Sequence, residues 1–126
     1  MAISGIGVDI VEMVRVAKLY EKYPGKFPER ILTDGELIEL KQQSEPVLFL
    51  AKRFAAKEAA SKALGTGFSK GVSFQDFEVQ HDTNGRPELL IEGVASQIIL
   101  DSGVHKIHLS ISDEKNYAIA NVVFEK

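Results

Sequence analysis

The sequence predicts an α+β fold: a single compact domain over residues 1–126, with a mixed or antiparallel sheet packed on a long central helix. Three observations predict it. Apolar residues alternate with period two near the start of the chain and again from Ile107 to Phe124, as half-buried strands require. Between these stretches lies an alanine-rich run, Val47 to Leu64, that ends at a glycine and has the composition of a helix. Finally, 126 residues suit one hydrophobic core and would be cramped for two.

Each element follows from a local signal. Ile6, Val8 and Ile10 alternate with Gly5, Gly7 and Asp9, a strand with one apolar face on which Asp9 shares the other face with two glycines. A helix is expected from about Val11 to Tyr23, because Met13, Val16, Ala17 and Tyr20 form an i, i+3, i+4, i+7 stripe and Pro24-Gly25 stops it. Arg15, Lys18 and Lys22 then share the opposite face. Thr33 or Asp34 opens a short helix. The long helix over Val47–Leu64 holds six alanines between Ala51 and Ala63, which lets another backbone come close, and Gly65-Thr66-Gly67 ends it. Phe74–Gln80 and Pro87–Ile91 read as strands joined around Asn84-Gly85, a strong hairpin signal. Val94–Ser102 reads as a helix closed by Gly103, and the polar turn Asp113-Glu114-Lys115-Asn116 separates the last two strands.

Composition narrows the function classes. The chain is 44% hydrophobic, 26% charged and 8% aromatic, ordinary for a globular domain and too apolar for a disordered one. The absence of cysteine removes disulfides, thiol nucleophiles and thiolate metal sites and gives no support to an oxidising compartment, so a cytoplasmic location is expected. The longest run without Asp, Glu, Lys or Arg is nine residues, Asn116–Phe124, about half of what a membrane span needs. The first residues lack the basic start of a secretory signal, so no membrane association is expected. A net charge of −3 argues against a general nucleic-acid binder. Charge is unevenly spread: residues 1–70 hold 11 basic and 9 acidic side chains and residues 71–126 hold 4 and 9, so an anionic ligand should approach the first half.

The chemistry concentrates in two places. On a projection of about 100° per residue, Val47, Ala51, Phe54, Ala55, Glu58 and Lys62 share one arc of the long helix, so Glu58 and Lys62 sit on its apolar stripe. Glu followed by Lys at i+4 is the favourable order for an ion pair, and a structural pair at the end of the stripe explains them equally well by periodicity alone. Asp9 tips the reading toward a site. A second carboxylate in an otherwise apolar strand, with glycines leaving room beside it, suggests a hard-cation site made by Asp9 and Glu58, the alternative from the residues alone being a solvated edge acid, the commoner place for a lone carboxylate in a strand.

Gly7-Val8-Asp9 and the block Phe54-Ala55-Ala56-Lys57-Glu58-Ala59-Ala60-Ser61-Lys62-Ala63 together resemble the signature of the 4′-phosphopantetheinyl transferase family, in its short, single-domain branch. The 49 positions between Asp9 and Glu58, the following Gly65-Thr66-Gly67, and the stretches Glu29–Thr33 and Ser73–Phe77 agree with that branch. The resemblance implies transfer of 4′-phosphopantetheine from coenzyme A to a serine of acyl carrier protein, with release of adenosine 3′,5′-bisphosphate, in support of fatty acid biosynthesis. It implies Mg²⁺ as cofactor, held by Asp9 and Glu58, with Glu58 and Lys62 catalytic. The serine proton goes either to Glu58 itself or to a metal-held water. Arg53, Lys62, Gly65, Thr66, Gly67 and His108 are the expected contacts to coenzyme A, and Lys57 is either a further phosphate contact or solvated. Glu36 is either a helix-start acid or near the site. Asp113 stands where many family members have His, and His108 is the candidate substitute for its charge. Carrier protein is expected on the basic face Arg15, Lys18 and Lys22, which Lys26 and Arg30 extend. A homotrimer with its active site between chains is expected as well. Two other functions would use the same residues: a non-catalytic carrier-binding module, and a metal-dependent pyrophosphate hydrolase.

Overall fold

The computed structural model describes residues 1–126. The chain folds in the order β1 (Ile3–Glu12), α1 (Met13–Lys22), α2 (Lys26–Ile31), α3 (Asp34–Leu40), α4 (Pro46–Leu64), a 3-10 turn (Phe74–Asp76), β2 (Phe77–His81), β3 (Pro87–Ile91), α5 (Gly93–Asp101), β4 (Lys106–Asp113) and β5 (Tyr117–Glu125). The α+β class stands, and the sheet resolves into two antiparallel pieces: a three-stranded sheet in the order β1-β5-β4 and the separate hairpin β2-β3. No helix is long and apolar enough to cross a membrane.

Three boundaries differ from expectation. Strand β1 runs on to Glu12, because Val11 and Glu12 pair with Ala118 and Tyr117 of β5, and the first helix starts only at Met13. Helix α2 was not foreseen: six residues are too few for a periodic stripe, and it is held by burying Phe27, Pro28 and Ile31. Phe74–Asp76 turns before β2 begins, since Ser73 and Asp76 cap one another there.

The packing of β1 on α4 is the main surprise. Its apolar side chains face outward: Ile6, Val8 and Ile10 are 66%, 53% and 62% exposed. The glycine face turns inward instead, onto α4, whose alanines 51, 55, 56, 59, 60 and 63 are all buried. A Cβ at Gly7 would lie 1.9 Å from the Ala59 carbonyl oxygen, and one at Gly5 would lie 2.2 Å from that of Ala63. These are backbone atoms that cannot turn aside, so the absence of side chains at Gly5 and Gly7 allows the strand to lie directly on the helix. On the inner face of β5, Ala118, Ala120, Val122 and Phe124 complete this layer, and Leu50, Phe77 and Val79 fill the core toward the hairpin. Full burial of a side chain of this size contributes about 1.5–3 kcal/mol.

Candidate active site

The close β1–α4 contact brings Asp9 to the flank of α4. Asp9 lies on the inward face of β1, two residues beyond Gly7, with its side chain 15% exposed. Lys62 reaches across from the last turn of α4, and its ammonium donates to Asp9 Oδ1 at 3.1 Å and to the Val8 carbonyl at 3.0 Å. Lys62 therefore pairs with the strand, and the expected pair with Glu58 four residues before it does not form. The reason is that the Val8 carbonyl and the Asp9 carboxylate together offer two acceptors at one point.

Glu58 keeps its charge unpaired. Its carboxylate takes part in no ion pair and accepts no hydrogen bond. Burial pushes its pKa above the ordinary carboxylate value, nearby Asp9 raises it further, and Lys62 and Arg15 pull the other way. Two like charges with one missing counter-charge suit a bound cation. No three His, Cys, Asp or Glu side chains converge anywhere in the chain, so Asp9 and Glu58 would be the whole protein contribution. That donor set fits Mg²⁺, which keeps waters and substrate phosphate oxygens as its other ligands.

Both carboxylates open onto a cavity of about 520 Å³. Glu12, Arg15, Phe54 and Tyr117 also line it, so three carboxylates and one guanidinium share the cavity with apolar side chains. Arg15 is there because α1 follows β1 without a loop: the Met13 N–H donates to the Asn116 carbonyl at 2.9 Å, which sets the first helical turn beside the strand end. Its helix neighbours Lys18 and Lys22 are exposed on the same face. The sequence signal had placed Arg15 on a basic helix face without its link to the carboxylates.

The other expected residues separate. Gly65 closes α4 in the left-handed conformation, φ 84°, and Gly67 is left-handed too at φ 58°. Nothing lies within 4 Å of a Cβ built on either glycine, so this backbone, with Thr66 between them, is open to a ligand one turn beyond Lys62. Arg53 lies elsewhere: it is 4% exposed, with its guanidinium beside Glu36 and Glu39 and over the Phe49 ring. Its turn of α4 packs on α3, so within one chain it is not at the cavity. Lys57, expected at phosphate or in solvent, is completely buried against Glu36. His108 projects from the outer face of the sheet and meets Glu125 at 3.0 Å. Asp113 pairs with Lys52 at 3.1 Å, a contact with no sequence signal. The burial of Glu36 did have one: Thr33-Asp34-Gly35-Glu36 is a capping box, with Thr33 and Glu36 bonded reciprocally, which turns the Glu36 side chain back into the protein.

Comparison with known proteins places this arrangement. Residues 5–122 match the family described as the 4′-phosphopantetheinyl transferase superfamily. The chain belongs to that superfamily. It is therefore an enzyme of a transferase family. A holo-[acyl-carrier-protein] synthase of Vibrio campbellii is 51% identical over 125 residues, covering 99% of both proteins. The crystal structure of holo-[acyl-carrier-protein] synthase from Neisseria meningitidis superposes with a TM-score of 0.92 at 46% identity, covering 99% of this chain and 100% of that one. The Bacillus anthracis enzyme, solved in complex with CoA (3′,5′-ADP), superposes with a TM-score of 0.80 at 45% identity over 97% of this chain and 96% of its own.

Proposed function

We propose that this phosphopantetheinyl transferase moves 4′-phosphopantetheine from coenzyme A to a serine hydroxyl of apo acyl carrier protein, with Mg²⁺ as cofactor, and so supports fatty acid biosynthesis in the cytoplasm. The observation that carries the reading is the meeting of Asp9 and Glu58 at one cavity, with Lys62 bonded to Asp9 and the Glu58 carboxylate left without an ion pair. The serine oxygen forms a bond to the phosphorus of the phosphopantetheine phosphate, and the pyrophosphate bridge to adenosine 3′,5′-bisphosphate breaks. Charge develops on the phosphoryl oxygens and on the departing phosphate, so positioned positive charge is the main requirement. When bound to Asp9 and Glu58, Mg²⁺ supplies Lewis-acid stabilisation of the pyrophosphate oxygens. Lys62 offsets charge on the leaving phosphate. The serine proton goes to Glu58 or to a nearby water.

Two features support the expected assembly and partner. Ile6, Val8, Ile10 and Ile119 share the outer face of the three-stranded sheet with His108, each of the four at least 39% exposed. An uncovered apolar sheet face is costly in water and suits burial against copies of the same chain. In a homotrimer with intersubunit sites, the exposed His108, remote from the cavity of its own chain, is placed to serve a neighbour's coenzyme A, whereas Arg53 is buried within its own chain. The basic face Arg15, Lys18 and Lys22 adjoins the cavity through Arg15, which suits an acidic carrier protein delivering its serine there. Incubation with apo acyl carrier protein, coenzyme A and Mg²⁺ should give the phosphopantetheine adduct by mass spectrometry together with adenosine bisphosphate. Binding of carrier without product would mark a non-catalytic module, and hydrolysis without adduct a pyrophosphatase.

A further inference from the structure

The charged groups that the transfer does not use meet on a face of α4 about a third of a turn from Glu58. Glu36 and Lys57 are both wholly buried, and they tie four elements together. Lys57 Nζ donates to Glu36 Oε1 at 2.5 Å and to the Ile31 carbonyl at the end of α2 at 2.6 Å. Glu36, on α3, also accepts from the Thr33 N–H and, at 3.0 Å, from the Val79 N–H of β2. Arg53, one turn earlier on α4, lies 3.5 Å through Nε from Glu36 Oε2, though not in hydrogen-bonding geometry.

We propose that Glu36 and Lys57 are positioning residues of the transfer reaction: their buried bonds set the rotation of α4 about its axis, and with it the placement of Glu58 and Lys62 against Asp9. The inference rests on the transferase reading above. On the site side, β1 meets α4 through Gly5 and Gly7 on Ala59 and Ala63, a contact that sets how closely strand and helix approach. Beyond methyl groups and backbone it offers only the bonds of half-exposed Lys62 to Asp9 and to the Val8 carbonyl. The fully buried directional bonds are about a third of a turn away, at Lys57, the residue next to Glu58. Side-chain atoms lie about 5–6 Å from a helix axis, so a rotation of about 10° moves Glu58 by about 1 Å. A displacement of that size costs on the order of 100-fold in a positioned reaction. A buried ion pair is by itself weak evidence for stability, since apolar replacement of both partners is often neutral. Orientation is what these bonds add.

The test uses the double variant Glu36→Gln/Lys57→Met, which leaves neither charge stranded, and the single variant Glu36→Gln, whose amide carbonyl still accepts from Lys57. The measurements are Tm, kcat, KM for coenzyme A and for carrier protein, and the amide NMR signal of Asp9, whose peptide carbonyl partner, that of Val8, binds Lys62. The double variant should keep its Tm within a few degrees, lose about tenfold or more in kcat with both KM values nearly unchanged, and shift the Asp9 signal. Wild-type kcat and an unmoved Asp9 signal would overturn the proposal, as would losses of kcat that only track losses of Tm. Should the double variant not fold, the single variant is judged by the same criteria with a smaller expected loss. If the wild-type chain itself makes no adduct, the transferase reading fails, and the Asp9 signal still decides whether the buried pair positions the site.

Discussion

Lys57 and Glu58 are neighbours on α4, and their surroundings are opposite. Lys57 is fully buried and its charge is answered by Glu36, which takes further bonds from Thr33 and Val79. Glu58 is partly open, beside a like charge, and no ion pair or hydrogen bond answers it, only the more distant Lys62 and Arg15. Buried charge is tolerated only when its partners are complete, so completeness marks the Glu36–Lys57 cluster as internal. Incompleteness beside a cavity marks Glu58 as awaiting a partner from outside the chain. One helix thus carries two ionic clusters about a third of a turn apart, and it is the unanswered charge that identifies the site.

The largest effect should come from breaking the complete cluster. Lys57→Met alone leaves buried Glu36 without its hydrogen-bonded counter-charge, with only Arg53 at 3.5 Å beside it, and should destabilise the fold by up to about 3–5 kcal/mol in chemical unfolding. A loss under about 1 kcal/mol would erase the contrast. Breaking the open cluster should do the reverse. Glu58→Gln should lower the transfer rate by at least about 100-fold, with Tm no lower than that of the wild type. A carboxyl with a folded-state pKa above its unfolded value contributes stability at pH below the unfolded value and loses it as pH rises through the folded one. At neutral pH it is a net cost, and its removal should gain less than about 1 kcal/mol after solvent screening. A clear fall in Tm would make Glu58 structural.

Finer tests sharpen the electrostatics. In metal-free protein, the Glu58 carboxyl carbon should titrate above 4.5, its ordinary value. Asp9→Asn should move that midpoint down and Lys62→Ala should move it up, because one removes a like charge and the other an opposite one. Unmoved midpoints would show that Glu58 does not sense the pair. The smallest effect belongs to the solvated face of α1. Lys18→Glu with Lys22→Glu should raise KM for the acidic carrier a few-fold at low salt and leave that for coenzyme A unchanged, because exposed charges contribute about 0.2–1 kcal/mol and are screened. Arg15 is unsuited to this test because it also lines the cavity. Equal shifts in both KM values would disconnect the basic face from docking.

What was readable beforehand was local. Alternation, alanine density and glycine stops located β1, α4, the hairpin and the last two strands, and the two short motifs, with their family resemblance, picked out Asp9, Glu58 and Lys62. Helix periodicity then misassigned burial, since it placed Glu58 and Lys62 on the buried stripe and Arg53 and Lys57 outside it. In the fold Arg53 and Lys57 are the buried pair and Lys62 is half-exposed. A helix enclosed on most sides by sheet, hairpin and other helices has no single apolar face, and alanine marks close approach without saying from which direction. Strand β1 failed in the same way, because hydrophobicity predicts the inward face only where the partner has space for side chains. By itself the sequence determined which segments become helix and strand and which acids and bases are available, because those depend on residues within a few positions of one another. Only the tertiary structure decided which faces turned inward, that Lys62 answers Asp9 and not Glu58, and that Glu36 rather than solvent answers Lys57. Those outcomes depend on how closely two distant backbones can pack, and here the glycines of β1 let that strand, not its apolar side chains, rest on α4.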